Sequence, residues 1–149
     1  MIFKGVNNQA VELRIHNYEF PNTLDKEYDG NWLRIYLNVK SDLGNWQTID
    51  PSLLTYEVQK LVEWFRCIAD NKEPEYIEQE FIEPNIAFYL LNSYLQDEKQ
   101  IKIKFDLESR PQSAKDDIEY YVILKADRNE LNRIATELEQ ELKIFPERK

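Results

Sequence analysis

The two side chains best suited to chemistry near neutral pH each occur once in this sequence, as His16 and Cys67. His16 occupies a polar position in an alternating stretch, so we interpret it as a solvent-exposed side chain rather than a catalytic base. Cys67 lies in a stretch with helical apolar spacing, which predicts a buried and unreactive thiol. A nucleophilic Cys–His pair formed by these two residues is the less favoured alternative.

The residue types in this sequence disfavour both a zinc site and a nucleotide-binding loop. One cysteine and one histidine are too few for a zinc site. The three glycines, Gly5, Gly30 and Gly44, are too scattered for a glycine-rich phosphate loop. We therefore predict no metal, no cofactor and no catalytic residue. The 28 acidic side chains leave one alternative open, a small carboxylate-dependent enzyme or metal-binding protein.

Negative charge is the strongest chemical signal in the sequence. The net charge at pH 7 is −9 and the sequence pI is about 4.7. Such a chain repels nucleic-acid backbones and anionic membrane surfaces. Residues 70–98 hold eight acidic side chains and one lysine, a net charge of −7. Acidic runs are usually solvated surface. The functional alternative is a patch that steers towards a basic partner, with the interleaved aromatic residues as its anchors, unless these are core residues of an edge strand. The candidate partner-binding residues are Glu73, Glu75, Tyr76, Glu78, Glu80 and Glu83.

The first half of the chain has the two-residue alternation that is typical of strands. Residues 11–15 and 32–39 each place apolar side chains on one face. Residues 41–44 predict a hairpin turn that returns through Trp46 and Ile49. Trp32 would then lie on the strand paired with Trp46, where aromatic packing is favoured over a shared pocket.

Pro51 is expected to end that strand and to introduce a helix, capped by Asp50 or Thr55. The helix has a single apolar stripe, formed by Leu54, Val58, Leu61, Val62, Phe65, Ile68 and Ala69. Residues 70–74 are expected to end it.

Three further strands and a second helix are predicted after residue 84. Apolar side chains occur at every second position in residues 86–90 and 101–107, and the second of these patterns ends at Leu107. The continuous apolar run 120–124 is compatible with a central strand. Asp127 and Glu130 form an Asp-x-x-Glu variant of the capping box. The apolar face of the second helix is formed by Leu131, Ile134, Ala135, Leu138, Leu142 and Phe145.

These elements predict an α+β fold, namely an antiparallel β-sheet of about six strands with two α-helices packed on one face, in the order β-β-β-α-β-β-β-α. No linker-like segment divides the chain, so we expect a single domain over residues 1–149. No signal sequence and no apolar run of transmembrane length is present, which leads us to expect a cytoplasmic protein.

Short sequence motifs are distributed along almost the whole chain: YEFP at 18–21, YDGNWL at 28–33, Trp46, PSLLTYE at 51–57, FIEPN at 81–85, LESRP at 107–111 and FP at 145–146. This set resembles the WapI family of bacterial immunity proteins. The resemblance implies a non-enzymatic protein encoded beside a polymorphic, contact-dependent toxin. It assigns no binding residues.

The same resemblance implies the partner, because the toxin's C-terminal domain is typically a nuclease that attacks transfer RNA and the immunity protein neutralises it by binding. We therefore expect a basic toxin nuclease domain as the partner, with no direct nucleic-acid or membrane contact. A nuclease must hold polyanionic RNA, so an acidic inhibitor has the complementary charge. A general interaction module without a toxin is the remaining alternative, and the oligomeric state stays open.

Overall fold

The computed structural model describes all residues, 1–149, as eight β-strands and two α-helices. The strands are β1 (Ile2–Lys4), β2 (Ala10–Tyr18), β3 (Trp32–Ser41), β4 (Gly44–Leu54), β5 (Glu78–Gln79), β6 (Ile86–Leu90), β7 (Lys99–Phe105) and β8 (Tyr120–Ala126). The helices are α1 (Thr55–Ala69) and α2 (Arg128–Ile144). Helix α1 connects the first four strands to the last four, and α2 closes the chain.

The strands form two antiparallel sheets, in the orders β1-β2-β3-β4 and β5-β6-β7-β8. The prediction of one six-stranded sheet is therefore wrong, whereas the α+β class and all six predicted strand segments are confirmed. Strands β1 and β5 were missed because three and two residues are too few to display alternation. One antiparallel bridge, between Gly5 and Leu124, joins the two sheets. A Cβ at Gly5 would lie 2.7 Å from Val122 Cγ1, so this approach requires glycine.

The end of β4 and the start of α1 differ from the prediction. Strand β4 continues through Pro51 to Leu54. Proline is tolerated there because β4 is an edge strand and the β3–β4 register shifts next to Pro51. Asp50 therefore lies within β4, and Thr55 is already the first residue of α1. Both predicted helix caps are wrong, since the cap position is occupied by Leu54.

The second half needs two smaller corrections. Strand β7 ends at Phe105, and Leu107 lies in a 3-10 turn with a φ of 48°. Strand β8 is an outer strand of its sheet rather than a central one, and its exposed face includes Tyr121. The predicted cap of α2 is confirmed, because the Asp127 carboxylate accepts a hydrogen bond from the Glu130 backbone N–H at 2.9 Å.

The buried faces of both sheets and both helices meet in one hydrophobic core. At its centre, the rings of Phe3 on β1, Phe65 on α1 and Phe88 on β6 lie with their centroids 5.8–6.0 Å apart. Such tilted and edge-on arrangements are the favourable ones for aromatic pairs. Three elements that are distant in sequence are thereby fixed to one another, and with them the relative position of the two sheets.

Trp46 on β4 forms a second connection between the sheets. Its ring packs edge-on against Phe105 and Tyr120 of the second sheet, and its Nε1–H donates to the Ser109 carbonyl at 2.9 Å. Trp32 lies at the other end of the β3–β4 pair and packs against Tyr28 instead. The two tryptophans lie on paired strands, as expected, but the expected aromatic packing between them is wrong, because they lie at opposite ends of the strand pair.

We predict that Trp46→Phe destabilises the protein by about 1–3 kcal/mol, because the buried Ser109 carbonyl loses its only side-chain donor. Trp32→Phe is the matched control, since it makes the same change on the same hairpin without removing a buried hydrogen bond. Urea unfolding followed by circular dichroism measures both variants. Equal shifts in the two midpoints would contradict the assigned role of Trp46.

Candidate functional site

Residues 73–83, which we call the acidic strap, run back along α1 in the opposite direction to the helix. Near the carboxyl end of α1, Trp64 Nε1–H donates to the Tyr76 carbonyl at 3.0 Å. Near its amino end, Glu57 Oε2 accepts from the Ile82 backbone N–H at 3.0 Å. The strap therefore lies beside about two turns of α1 and is held at two points.

Of these two contacts, the one made by Glu57 involves a buried carboxylate, because the residue is only 7% exposed. A buried carboxylate requires hydrogen-bond donors. The other oxygen of Glu57, Oε1, accepts from the Leu54 backbone N–H at 2.9 Å and so satisfies a free donor at the start of α1. Burial raises the pKa of Glu57, and the hydrogen bonds from Leu54 and Ile82 oppose that shift only in part. One carboxylate thus begins the helix and fixes the strap.

Between α1 and the strap lies a groove of about 470 Å³, which we call the acidic groove. Its charged lining consists of Glu63 and Lys60 on α1 and Glu75, Glu78 and Glu80 on the strap. The remaining lining residues are Trp64, Cys67, Pro74, Tyr76 and Gln79. Four carboxylates against one ammonium leave the groove with a net negative charge, so it attracts cationic groups.

The groove brings together four of the six predicted partner-binding residues, namely Glu75, Tyr76, Glu78 and Glu80. The other two, Glu73 and Glu83, are exposed on the strap but do not line the groove. Tyr76 is 59% exposed although its carbonyl is held by Trp64. Its ring is therefore available to a partner while its backbone is fixed.

The second sheet supports the strap from the other side. Glu78 pairs with Tyr89 in the short β5–β6 ladder, and the Tyr89 hydroxyl donates to Glu80 Oε1 at 3.1 Å. Burial and this bond to Glu80 raise the pKa of the Tyr89 hydroxyl. The phenol therefore remains a hydrogen-bond donor to Glu80 at neutral pH.

The structure separates the two reactive side chains. His16 is exposed on β2, as predicted. Cys67 is half-buried rather than buried, because it faces the acidic groove. Its Sγ makes weak contacts with the carbonyls of Lys72 at 3.5 Å and Glu73 at 3.7 Å. No hydrogen bond joins the two residues. No group of three or more His, Cys, Asp or Glu side chains is placed to hold a metal ion, and neither helix is long and apolar enough to cross a membrane.

Sequence reasoning missed the helix side of the groove, formed by Lys60 and Glu63, as well as the clamp at Glu57. Lys60 and Glu63 lie off the apolar stripe of α1 and so could be assigned to its polar side. No local sequence pattern indicates that the acidic strap lies against this polar side of α1. Glu57 was hidden because a capping box is recognised by a polar residue at the cap, and here that residue is Leu54.

The model of the immunity protein WapI-like family matches residues 1–146. The match covers nearly the whole chain, and the resemblance drawn from the sequence motifs is confirmed. No curated protein and no solved structure matches this sequence.

We predict that Glu57→Ala lowers stability by about 1–3 kcal/mol and speeds amide exchange at Ile82, because two backbone donors lose their acceptor. Glu63→Ala is the matched control, since Glu63 is exposed on the same helix and accepts only from Gln59. Hydrogen exchange resolved by residue measures the effect. Unchanged protection at Ile82 in the Glu57 variant would show that the strap is held elsewhere.

A pH dependence follows from the buried carboxylate of Glu57 and the half-buried carboxylate of Glu141. Burial raises the pKa of each above its usual value of 4.5. The folded state then binds more protons than the unfolded state just above that pH. The stability that these groups contribute is complete below 4.5 and is lost as the pH rises through the raised pKa values. The unfolding free energy of the wild type, relative to Glu57→Gln/Glu141→Gln, should therefore fall as the pH rises above 4.5. A difference that grows with pH would reverse the assignment.

Proposed function

The chain belongs to the WapI-like immunity protein family, and from this premise we propose that it neutralises a cognate toxin domain by stoichiometric occlusion. We further propose that this toxin domain is a nuclease acting on transfer RNA. The protein binds it in the cytoplasm of the producing cell and covers its basic face. No bond is made or broken by the immunity protein itself.

The observation that supports occlusion most directly is the acidic groove, which gathers carboxylates from α1 and from the strap on one surface. A nuclease that holds RNA needs a basic face, because affinity for the phosphate backbone comes largely from lysine and arginine. A negatively charged groove complements that face and speeds productive encounter. The net charge of −9 acts in the same direction at longer range.

The fixed position of the strap also favours a binding role over a catalytic one. Trp64 and Glu57 hold its backbone, whereas its carboxylates at Glu75 and Glu78 carry no hydrogen bond within the chain. Charges on a rigid support bind a partner with little further loss of conformational freedom. The carboxylates are therefore organised for contact with another molecule.

We predict that reversing Glu73, Glu75, Glu78, Glu80 and Glu83 to lysine abolishes binding of the toxin domain encoded beside the gene, together with protection in co-expression. The matched control reverses five exposed carboxylates away from the groove, changing the net charge by the same amount: Asp42, Glu98, Glu108, Asp116 and Asp117. Calorimetry with the purified toxin domain and a growth assay measure both variants.

The control variant should retain most of its affinity, because only long-range steering is reduced and salt screens that contribution within about 10 Å. Equal loss in the two variants would mean that total charge matters and the strap does not. Full binding and protection by the strap variant would overturn occlusion by this surface.

A further inference from the structure

Residues 20–31, which we call the pinned loop, contain a 3-10 turn but no strand or α-helix. Several hydrogen bonds nonetheless hold this loop in place. The guanidinium of Arg148 donates to the carbonyls of Phe20 at 2.8 Å, Pro21 at 3.0 Å and Gly30 at 2.7 Å. It also lies 4.0 Å from the centroid of the Tyr18 ring, a distance typical of a cation–π contact. One side chain near the end of the chain thus closes both ends of the loop.

Asn31 holds the same loop from within. It is almost fully buried, and its Nδ2 donates to the carbonyls of Lys26 at 2.8 Å and Glu27 at 2.9 Å. Its Oδ1 accepts from the Arg148 backbone N–H at 2.8 Å. The nitrogen of this buried amide therefore orders the loop backbone, and its oxygen ties the loop to Arg148.

This ordered backbone presents apolar side chains to solvent. Leu24 is 98% exposed, the highest value among the large apolar residues, and Phe20 and Tyr28 of the same loop are also exposed. Single exposed apolar residues are common on protein surfaces. Here, however, six of the fifteen exposed large apolar side chains come from two short segments: Phe20, Leu24, Tyr28, Tyr76, Ile77 and Ile82.

Those two segments, the pinned loop and the acidic strap, are joined through the first turn of α1. Thr55 Oγ1 donates to Asn31 Oδ1 at 3.0 Å, and Glu57 on the same turn binds Ile82. Tyr56 lies between them in sequence. Burial is the main cause that raises the pKa of its phenol, with smaller contributions from Glu57 and from Tyr28 on the pinned loop. The pinned loop thus contacts the amino end of α1, and the acidic groove begins further along the same helix, at Lys60.

We propose that the pinned loop is a second contact element for the cognate toxin domain, with Leu24 inserted into an apolar pocket of that partner. This inference rests on the proposed function. The loop carries three acidic side chains, Asp25, Glu27 and Asp29, against one lysine, Lys26, so its charge has the same sign as that of the groove. Both elements contact α1, the loop at its amino end and the groove from Lys60 onwards, so a single partner can reach both.

The two elements would contribute differently to binding. Carboxylates of the groove raise the association rate and are screened by salt. A buried leucine contributes affinity through apolar contact, which salt does not screen. Because Arg148 and Asn31 already fix the loop, little conformational entropy is lost when Leu24 is buried in a partner.

The test compares Leu24→Ala with Leu43→Ala, using the purified toxin domain encoded beside the gene. Leu43 is 44% exposed at the tip of the β3–β4 hairpin, which is at the opposite end of β3 from the pinned loop. Leu24→Ala should weaken binding by about 30-fold, as expected for a central interface residue. The same fold-change is expected at low and at high salt. Leu43→Ala should leave the affinity unchanged.

Arg148→Ala provides a second variant, which keeps Leu24 and frees the loop. It should speed amide exchange in residues 20–31 and weaken toxin binding, because the loop must then be ordered on association. Unchanged binding by Leu24→Ala, with binding lost in the strap reversal, would overturn the role of the loop and leave the proposed function standing. Unchanged binding in both would overturn the two together. A shift in sedimentation of Leu24→Ala alone, with normal toxin binding, would identify a self-association surface and also overturn the proposal.

Discussion

The carboxylate of Glu57 is the contact on which the candidate site depends. One oxygen accepts from the backbone at the start of α1, and the other accepts from the backbone near the end of the acidic strap. Burying a carboxylate is costly unless it is well hydrogen-bonded, and here both oxygens are used. The strap has little other support from regular structure, because β5 comprises only Glu78 and Gln79. Without Glu57, the strap would be released from α1 at Ile82, whereas Trp64 and the β5–β6 pairing would still hold its earlier residues.

The rest of the fold forms a rigid support for two short irregular segments, the acidic strap and the pinned loop. Two sheets and two helices converge on one core, and Trp46 crosses from the first sheet to Ser109 beside the second. Around this frame, single polar side chains fix the strap and the pinned loop by binding their backbones. Loops fixed in this manner are well suited to recognition, since a rigid scaffold lowers the entropic cost of binding.

The surface next to α1 combines two kinds of chemistry that binding proteins use together. Exposed carboxylates and the exposed ring of Tyr76 line the acidic groove, and the pinned loop at the amino end of the same helix exposes Leu24. Charge accelerates encounter and selects the partner, whereas apolar anchors provide most of the affinity. An inhibitor that only imitated nucleic acid would need the first of these and not the second. The combination favours recognition of one particular protein surface.

The sequence by itself determined the local elements and the family, because alternation, helical spacing and the Asp127 cap are read from neighbouring residues. It also identified the acidic segment that lines the groove. Only the tertiary structure decided that the strands divide into two sheets, since pairing between distant segments leaves no local pattern and β1 is too short to show one. Likewise, Glu57 gained its role only when Ile82, 25 residues away along the chain, was brought to its free oxygen by the path of the strap.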